Sequence, residues 1–330
     1  MRNNFAVASS PHLRSKATTQ RIMLEVCLAL APAGIAGVIL FGWRAALLIA
    51  VCVTTCIVSE LLWQLVTRQK VTVNDFSAVV TGLLLAYNLP ASAPVWMAVI
   101  GSVLAIILVK QLFGGIGSNF MNPALTARAV LFISWSALMS AADPAPISAI
   151  YDPIANFVGK LGAGGIDVLS GATPLGALNA GSTEGLSLMS LLMGTHGGML
   201  GETCAIALII GGVYLCIRGI ADWRIPAAFI GTVFVCYFFM GGAEMALYQL
   251  LSGGLLLGAF FMATDYATSP ITGLGRVIFG VGCGLLLFVI RAFANYPEGC
   301  SFAILFMNVA TPMIDRFTMP RPFGEVKKHG

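Results

Sequence analysis

IMLEVCLALAPAGIAGVILFGWRAALLIAVCVTTCIVSELLWQLV, residues 22–66, contains two apolar runs, at about 22–42 and 44–66, that meet at Gly42-Trp43. A membrane-spanning helix takes about 20 predominantly apolar residues, so this stretch reads as two consecutive spans. The whole chain agrees with it. Its 330 residues are 58% hydrophobic and only 10% charged, with mean hydropathy +0.90, whereas charged residues make up roughly a quarter of ordinary soluble domains. About ten spans would use roughly 200 residues, which leaves no room for a large soluble catalytic domain. The 18 basic and 14 acidic side chains, net +4, are too few for a nucleic-acid surface and act through their placement.

Outward from that stretch, further apolar runs lie at about 74–89, 93–112 and 122–139, then near 199–217, 225–240, 244–262, 274–293 and 299–314. The reading is an all-α polytopic membrane protein of about ten helices. It divides into a polar tail (1–21), a first five-helix unit (22–139), a Gly-, Ala-, Ser-, Asp- and Pro-rich segment (140–198), a second five-helix unit (199–316) and a polar tail (317–330). The first tail has no apolar h-region of its own and reads as retained. Gly and Pro interrupt some runs, and one or two of these are expected to be half-helices.

Cytoplasmic loops hold the Lys and Arg excess. With the amino terminus inside, all of the 18 basic residues except Arg44, Arg128, Lys160 and Arg291 fall on the cytoplasmic side. Both termini are therefore expected in the cytoplasm and segment 140–198 on the outer face. An internal repeat supports two halves. TGLLLAYNLP (81–90) resembles GGLLLGAFFM (253–262), a helix ending in a lone cation follows each (Lys110, Arg291), and Phe-Met-Asn then recurs at 120–122 and 306–308. Two inverted repeats of five helices, an architecture of many transport folds, place the functional site near their interface. The plainer alternative is that Gly-Leu-rich helices look alike by composition.

Most chemistry-bearing residues have a plain structural reading beside a functional one. Asp167-Val168-Leu169-Ser170-Gly171-Ala172-Thr173-Pro174 in the outer segment is a small-residue turn presenting a hydroxyl, and Pro174 biases Thr173 towards an extended conformation. Gly114 to Pro123 is irregular backbone of the kind membranes tolerate only when it is buried in protein or lines a cavity. Within it Asn119 and Asn122, with Lys110 before it, are candidate contacts for a cofactor ring or polar headgroup; equally, the glycines serve tight helix packing. No Rossmann unit surrounds this stretch. His196 has no His or Cys partner at metal-ligand spacing. Seven of the eight cysteines lie in apolar runs without a C-x-x-C, so neither a metal site nor a disulfide framework is expected.

Five stretches, in order, resemble one known family. SSPHLRSKATTQRIM (9–23), GGIGSNFMNPA (114–124), the D-x-x-S-G-A-T site at 167–173, FMATD (261–265) and NYPEG (295–299) are similar to the D-subunit family of the Rnf (Rsx) ion-translocating oxidoreductases. They are more distantly similar to the B-subunit family of the sodium-pumping NADH:quinone reductases. The resemblance implies FMN esterified through its phosphate to Thr173 by a separate flavin transferase, with Asp167, Ser170, Gly171 and Ala172 as the recognition motif. The residues agree with such chemistry, since a soluble transferase needs an accessible hydroxyl with small neighbours. Thr173 is then a tether and not a nucleophile; no residue of this chain is catalytic, and the redox chemistry belongs to the flavin.

The resemblance further implies a bacterial inner-membrane complex with A, B, C, E and G subunits, which links ferredoxin and NAD to Na+ or H+ movement. A second, noncovalent riboflavin follows by analogy. Ionisable groups at membrane depth mark ion pathways by default, and positions resembling those tied to cation uptake in the sodium pump are Glu60, Asp265 and Asp315. Simple interfacial solvation is the other reading of Asp265 and Asp315. The rival function, from another class, is a solute channel or secondary transporter without a redox cofactor, because fold alone does not fix function.

Overall fold

A computed structural model of the chain describes residues 18–139, 174–179, 188–194, 196–294 and 298–320. The two opening runs are the long helices Thr19–Phe41 (α1) and Trp43–Val66 (α2), separated at Gly42, whose φ of 77° suits a residue without a side chain. Ser77–Tyr87 (α3), Val95–Val103 (α4, continuing as a π-helix to Gln111) and Pro123–Ser134 (α5) complete the first half. Three short helices follow: Ser136–Met139 (α6), Pro174–Asn179 (α7) and Leu188–Met193 (α8). The second half holds Ala205–Ile217 (α9), Arg224–Leu251 (α10), Leu255–Leu257 (α11, continuing as a π-helix to Met262), Gly273–Phe293 (α12) and Cys300–Thr318 (α13).

The described residues contain no strand, only an isolated bridge between Pro90 and Met199. Four helices, α1, α2, α10 and α12, are long and apolar enough to cross a membrane, and Ile39, Ile217 and Phe239 turn their side chains outwards. The chain is an all-α, multi-pass membrane protein.

Two expected runs are not simple spans. The run at 244–262 is split. Residues up to Leu251 extend α10 past a break at Gly242 (φ 83°, ψ −178°), and the rest forms α11 with its π-helix. The 11 residues of α3 make about 16 Å of helix, half the roughly 30 Å hydrocarbon thickness. Both halves thus carry a short third helix, and the two run in opposite directions. α3 starts beside Lys110 and ends at Tyr87, whereas α11 starts beside Glu202 and leads to Met262, whose carbonyl accepts from Asn122. Likewise Glu25 near the start of α1 takes a two-pronged pair from Arg218 at the end of α9 (2.6 and 2.9 Å), so those helices are antiparallel.

Lipid tails are as apolar as leucine, so helices in a membrane associate through close packing of small residues. The α1–α9 contact, where the halves meet, is of this kind: a Cβ added at Gly211 would stand 2.1 Å from the Ala29 carbonyl oxygen. Tyr87, almost fully buried, donates its hydroxyl to the Leu30 carbonyl (2.9 Å) and fastens the end of α3 to α1. One end of the bundle gathers Arg21, Lys110, Arg218 and Arg276, with Arg276 paired to Asp222 at 2.5 Å. The opposite end holds Arg128 and Arg291.

Candidate functional site

At the basic end, α2 and the π-helical end of α4 bring together residues fifty positions apart. Lys110 Nζ donates to both oxygens of Glu60 (3.0 and 2.9 Å) and to Ser77 Oγ (2.6 Å). Gln64 and Gln111 also donate to Glu60, at 3.3 and 2.8 Å. Both charges are buried, with side chains 4% and 1% exposed. Ser77 passes its own hydrogen to Asp75 Oδ1 (2.5 Å), so a polar chain leads from the half-buried Asp75 to the pair.

Beside it lies a cavity of about 100 Å³ lined by Lys110, Ser77, Asn119, Asn122, Thr264 and Asp265, among apolar residues. That volume holds a few waters and falls short of the roughly 300 Å³ or more of ordinary organic-ligand pockets. Asn119 donates to Asp265 (3.4 Å) and to the Met121 carbonyl (3.0 Å). Asn122 caps α5 by accepting from the amides of Ala124 and Leu125, which the sequence Asn-Pro at a helix start favours. Desolvation raises the Asp265 carboxyl above the usual carboxylate range, against hydrogen bonds from the Ala267 amide, Asn119 and Thr268. Asp315 lies apart from the cavity and accepts from the Ile271 amide (3.0 Å).

The opposite end carries a second polar centre. Arg128 of α5 donates to Asn88 Oδ1 (2.9 Å), Ser301 Oγ (2.8 Å), Glu202 (3.4 Å) and Glu298. Arg291 in the last turn of α12 donates to the backbone oxygen of Gln249 (2.7 Å), its Oε1 (3.2 Å) and the Ser252 carbonyl (3.1 Å). The two ends share a pattern of chemistry: an acid or amide late in one long helix, a serine at or just before the start of the short helix that follows, and a cation ending the next. These are Glu60, Ser77 and Lys110 at one end and Gln249, Ser252 and Arg291 at the other.

Lys110, Asn119, Asn122 and Asp265 are therefore brought together around one cavity and Glu60 is tied to Lys110, while Asp315 is not part of the group. Thr173, Asp167, Ser170, Gly171 and Ala172 lie outside the described residues. Among the described residues no cluster of metal-ligating side chains occurs and the eight cysteines are free. Burial pushes the pKa of His196 below that of a free imidazole, against hydrogen bonds with the Gly197 and Thr203 backbone. The roles of Gln249 and Glu298 were not foreseen from the sequence. Glu298 was visible only as part of NYPEG, and nothing marked Gln249 among the apolar residues around it.

A profile of the NQR2, RnfD, RnfE family matches residues 6–324. The chain belongs to this family. It is 47% identical over 328 residues, covering 98% of this chain and 96% of the relative, to the D subunit of the Na(+)-translocating ferredoxin:NAD(+) oxidoreductase complex of Acetobacterium woodii. It is 38% identical over 337 residues, 98% and 97% of the two chains, to the D subunit of the proton-translocating ferredoxin:NAD(+) oxidoreductase complex of Clostridium ljungdahlii. The D subunit of the ion-translocating oxidoreductase complex of Halorhodospira halophila is 37% identical over 344 residues, 97% and 96% of the two chains. These relatives are subunits of ion-translocating oxidoreductases, and the resemblance of this NQR2, RnfD, RnfE family member to D subunits extends over nearly its whole length.

Proposed function

We propose that this chain is the membrane subunit of an electron-transport-driven ion pump in which FMN, joined to Thr173 by a phosphoester bond, carries electrons between ferredoxin- and NAD-linked partners while Na+ or H+ crosses the membrane. Similarity over 98% of the chain to the D subunit of an Na(+)-translocating complex supports this reading. The basic end of the bundle faces the bacterial cytoplasm, as the bias of Lys and Arg requires. The segment holding Thr173 is then on the outer face of the inner membrane, where a transferase reaches it and a tether keeps the flavin from being lost.

Among the described residues, Arg291 Nε and Ser252 Oγ are buried and lack hydrogen-bond partners, and a Cβ at Gly253 would stand 2.5 Å from Leu175 and 3.2 Å from Arg291, so that corner is closely packed. When bound, the flavin supplies one- and two-electron chemistry; the chain supplies position and charge. At the basic end Asp265 and its cavity are the entrance for the cation. The Glu60–Lys110 pair stands behind them, linked to Asp75 through Ser77. Partners of this reading are the A, B, C, E and G subunits and the flavin transferase.

The decisive measurement is direct. Chain purified from cells containing the transferase, denatured and run on a gel, is expected to fluoresce as a flavin under ultraviolet light, and Thr173→Ala to be dark at equal loading. A dark wild-type band overturns the electron-carrier reading and leaves a cofactor-free transporter.

A further inference from the structure

The turn between α9 and α10 and the chain leading into α12 enclose another cavity at the basic end, of about 390 Å³, the size of an ordinary ligand pocket. Asp222, Arg224, Tyr266, Ser269 and Arg276 are among its polar lining. It adjoins the cavity of Asp265 at Thr264 and Tyr266 but reaches neither Asp265 nor Lys110.

Its two cations stand in unusual places. Arg224 is the first residue of α10 and Arg276 lies in the first turn of α12, and neither turn carries an acid. A helix start already bears partial positive charge from its open amides, so both arginines occupy positions that favour an anion. Among the described residues, Asp222 is the one carboxylate in the lining. It accepts from Arg276 (2.5 Å) and caps α10 by accepting from the Arg224 amide (3.0 Å). The guanidinium of Arg224 and the hydroxyl of Ser269 donate no hydrogen bond among the described residues.

Gly273 decides where that guanidinium rests. A Cβ at 273 would stand 1.9 Å from Arg224 Nη1 and 3.1 Å from its Cζ, so the missing side chain lets Arg224 lie across the start of α12, beside the helix that carries Arg276. The rim of the cavity is aromatic. Trp223 and Tyr266 are 64% and 56% exposed, and such amphipathic rings collect at the level of lipid headgroups. Ile271 and Leu274, on either side of Thr272-Gly273, are exposed apolar surface.

We propose that this cavity binds the phosphate of an anionic phospholipid from the leaflet at the basic end, with Arg224 and Ser269 as donors and Arg276 as the second charge. Two arginines against one aspartate leave one positive charge in the lining, which matches the single negative charge of a phosphodiester. The planar fork of Arg224 suits two phosphate oxygens. Basic pockets between membrane helices on the cytoplasmic side take acidic headgroups in this way, and the acyl chains have Trp223 and Leu274 to lie against. The site does not depend on the flavin.

The test is titration of the purified full chain in a neutral detergent with phosphatidylglycerol, with phosphatidylcholine of the same acyl chains and with inorganic phosphate, bound molecules being counted by native mass spectrometry. Wild type is expected to bind phosphatidylglycerol at least about tenfold tighter than phosphatidylcholine. Arg224→Gln loses about tenfold, as the loss of a charge-assisted hydrogen bond requires. Arg68→Gln, which removes an exposed charge at the same end away from the cavity, leaves affinity unchanged.

Gly273→Ala keeps every charge but pushes the Arg224 guanidinium, the far end of a flexible side chain, from its seat; alanine suits a helix better than glycine. It is expected to weaken phosphatidylglycerol binding too, and it decides the matter if Arg224→Gln does not fold. Full affinity in Gly273→Ala, equal losses in Arg224→Gln and Arg68→Gln, or equal affinity for the two lipids overturns the proposal. Displacement of phosphatidylglycerol by inorganic phosphate at equal concentration overturns the lipid as its source.

Discussion

Lys110→Met is expected to destabilise the purified chain by roughly 3–5 kcal/mol, the cost of leaving one member of a buried ion pair without its partner. Glu60 and Lys110 are among the most enclosed charges in the described structure, and each is fully engaged by the other and by Ser77, Gln64 and Gln111. Removing the ammonium leaves a carboxylate that two amides do not neutralise. The double variant Lys110→Met with Glu60→Gln should recover most of the loss, because replacing both charges removes the desolvation cost together with the attraction. The readout is already present in the chain. Its eight cysteines are free, and Cys52, Cys56, Cys283 and Cys300 are buried. The temperature at which they begin to react with a thiol-specific dye therefore reports unfolding in detergent. A single variant as stable as wild type would show that the pair is solvated, and the buried relay from Asp75 would fall with it.

A larger loss is expected where no side chain can move aside. At Gly211 the obstacle to a Cβ is the backbone oxygen of Ala29, 2.1 Å away, with Phe261 Cζ at 3.1 Å. Overpacking a well-filled core ordinarily costs about 1–3 kcal/mol; here relief requires α1 and α9 themselves to separate. Gly211→Ala is expected to reach the upper end of that range and Gly211→Val to fail to yield a folded chain on size-exclusion chromatography. Gly231→Ala is the matched control. It lies exposed within α10 with nothing inside 4 Å of the added carbon, and helix propensity alone favours it by up to about 1 kcal/mol. Equal stability of the alanine variants at 211 and 231 would mean that the two halves do not meet through α1 and α9.

Much of the architecture is legible in the sequence. The runs at 22–42 and 44–66 became α1 and α2, and the weak likeness between 81–90 and 253–262 marked the short third helices α3 and α11. The gap between the runs 225–240 and 244–262 coincides with the break at Gly242, but 244–262 is not one span, because hydropathy averages over a window and does not register that the chain turns at Ser252-Gly253. The cavity was half legible. Asn119 and Asn122 stood out in an irregular stretch, but that Asp265, 146 residues from Asn119, would meet them was not visible.

The membrane setting, the order of helices and the concentration of basic residues at one end are sums over neighbouring residues, and local composition is enough to determine them. The pairing of Lys110 with Glu60 across 50 residues, and of Arg128 with Glu298 across 170, was decided only by the packed structure. Successive residues of a helix point about 100° apart, so a small rotation decides whether a polar side chain meets lipid, a cavity or an opposite charge. That rotation is set by the fit of residues such as Gly211 against a neighbouring backbone, a contact encoded in no single stretch of the chain.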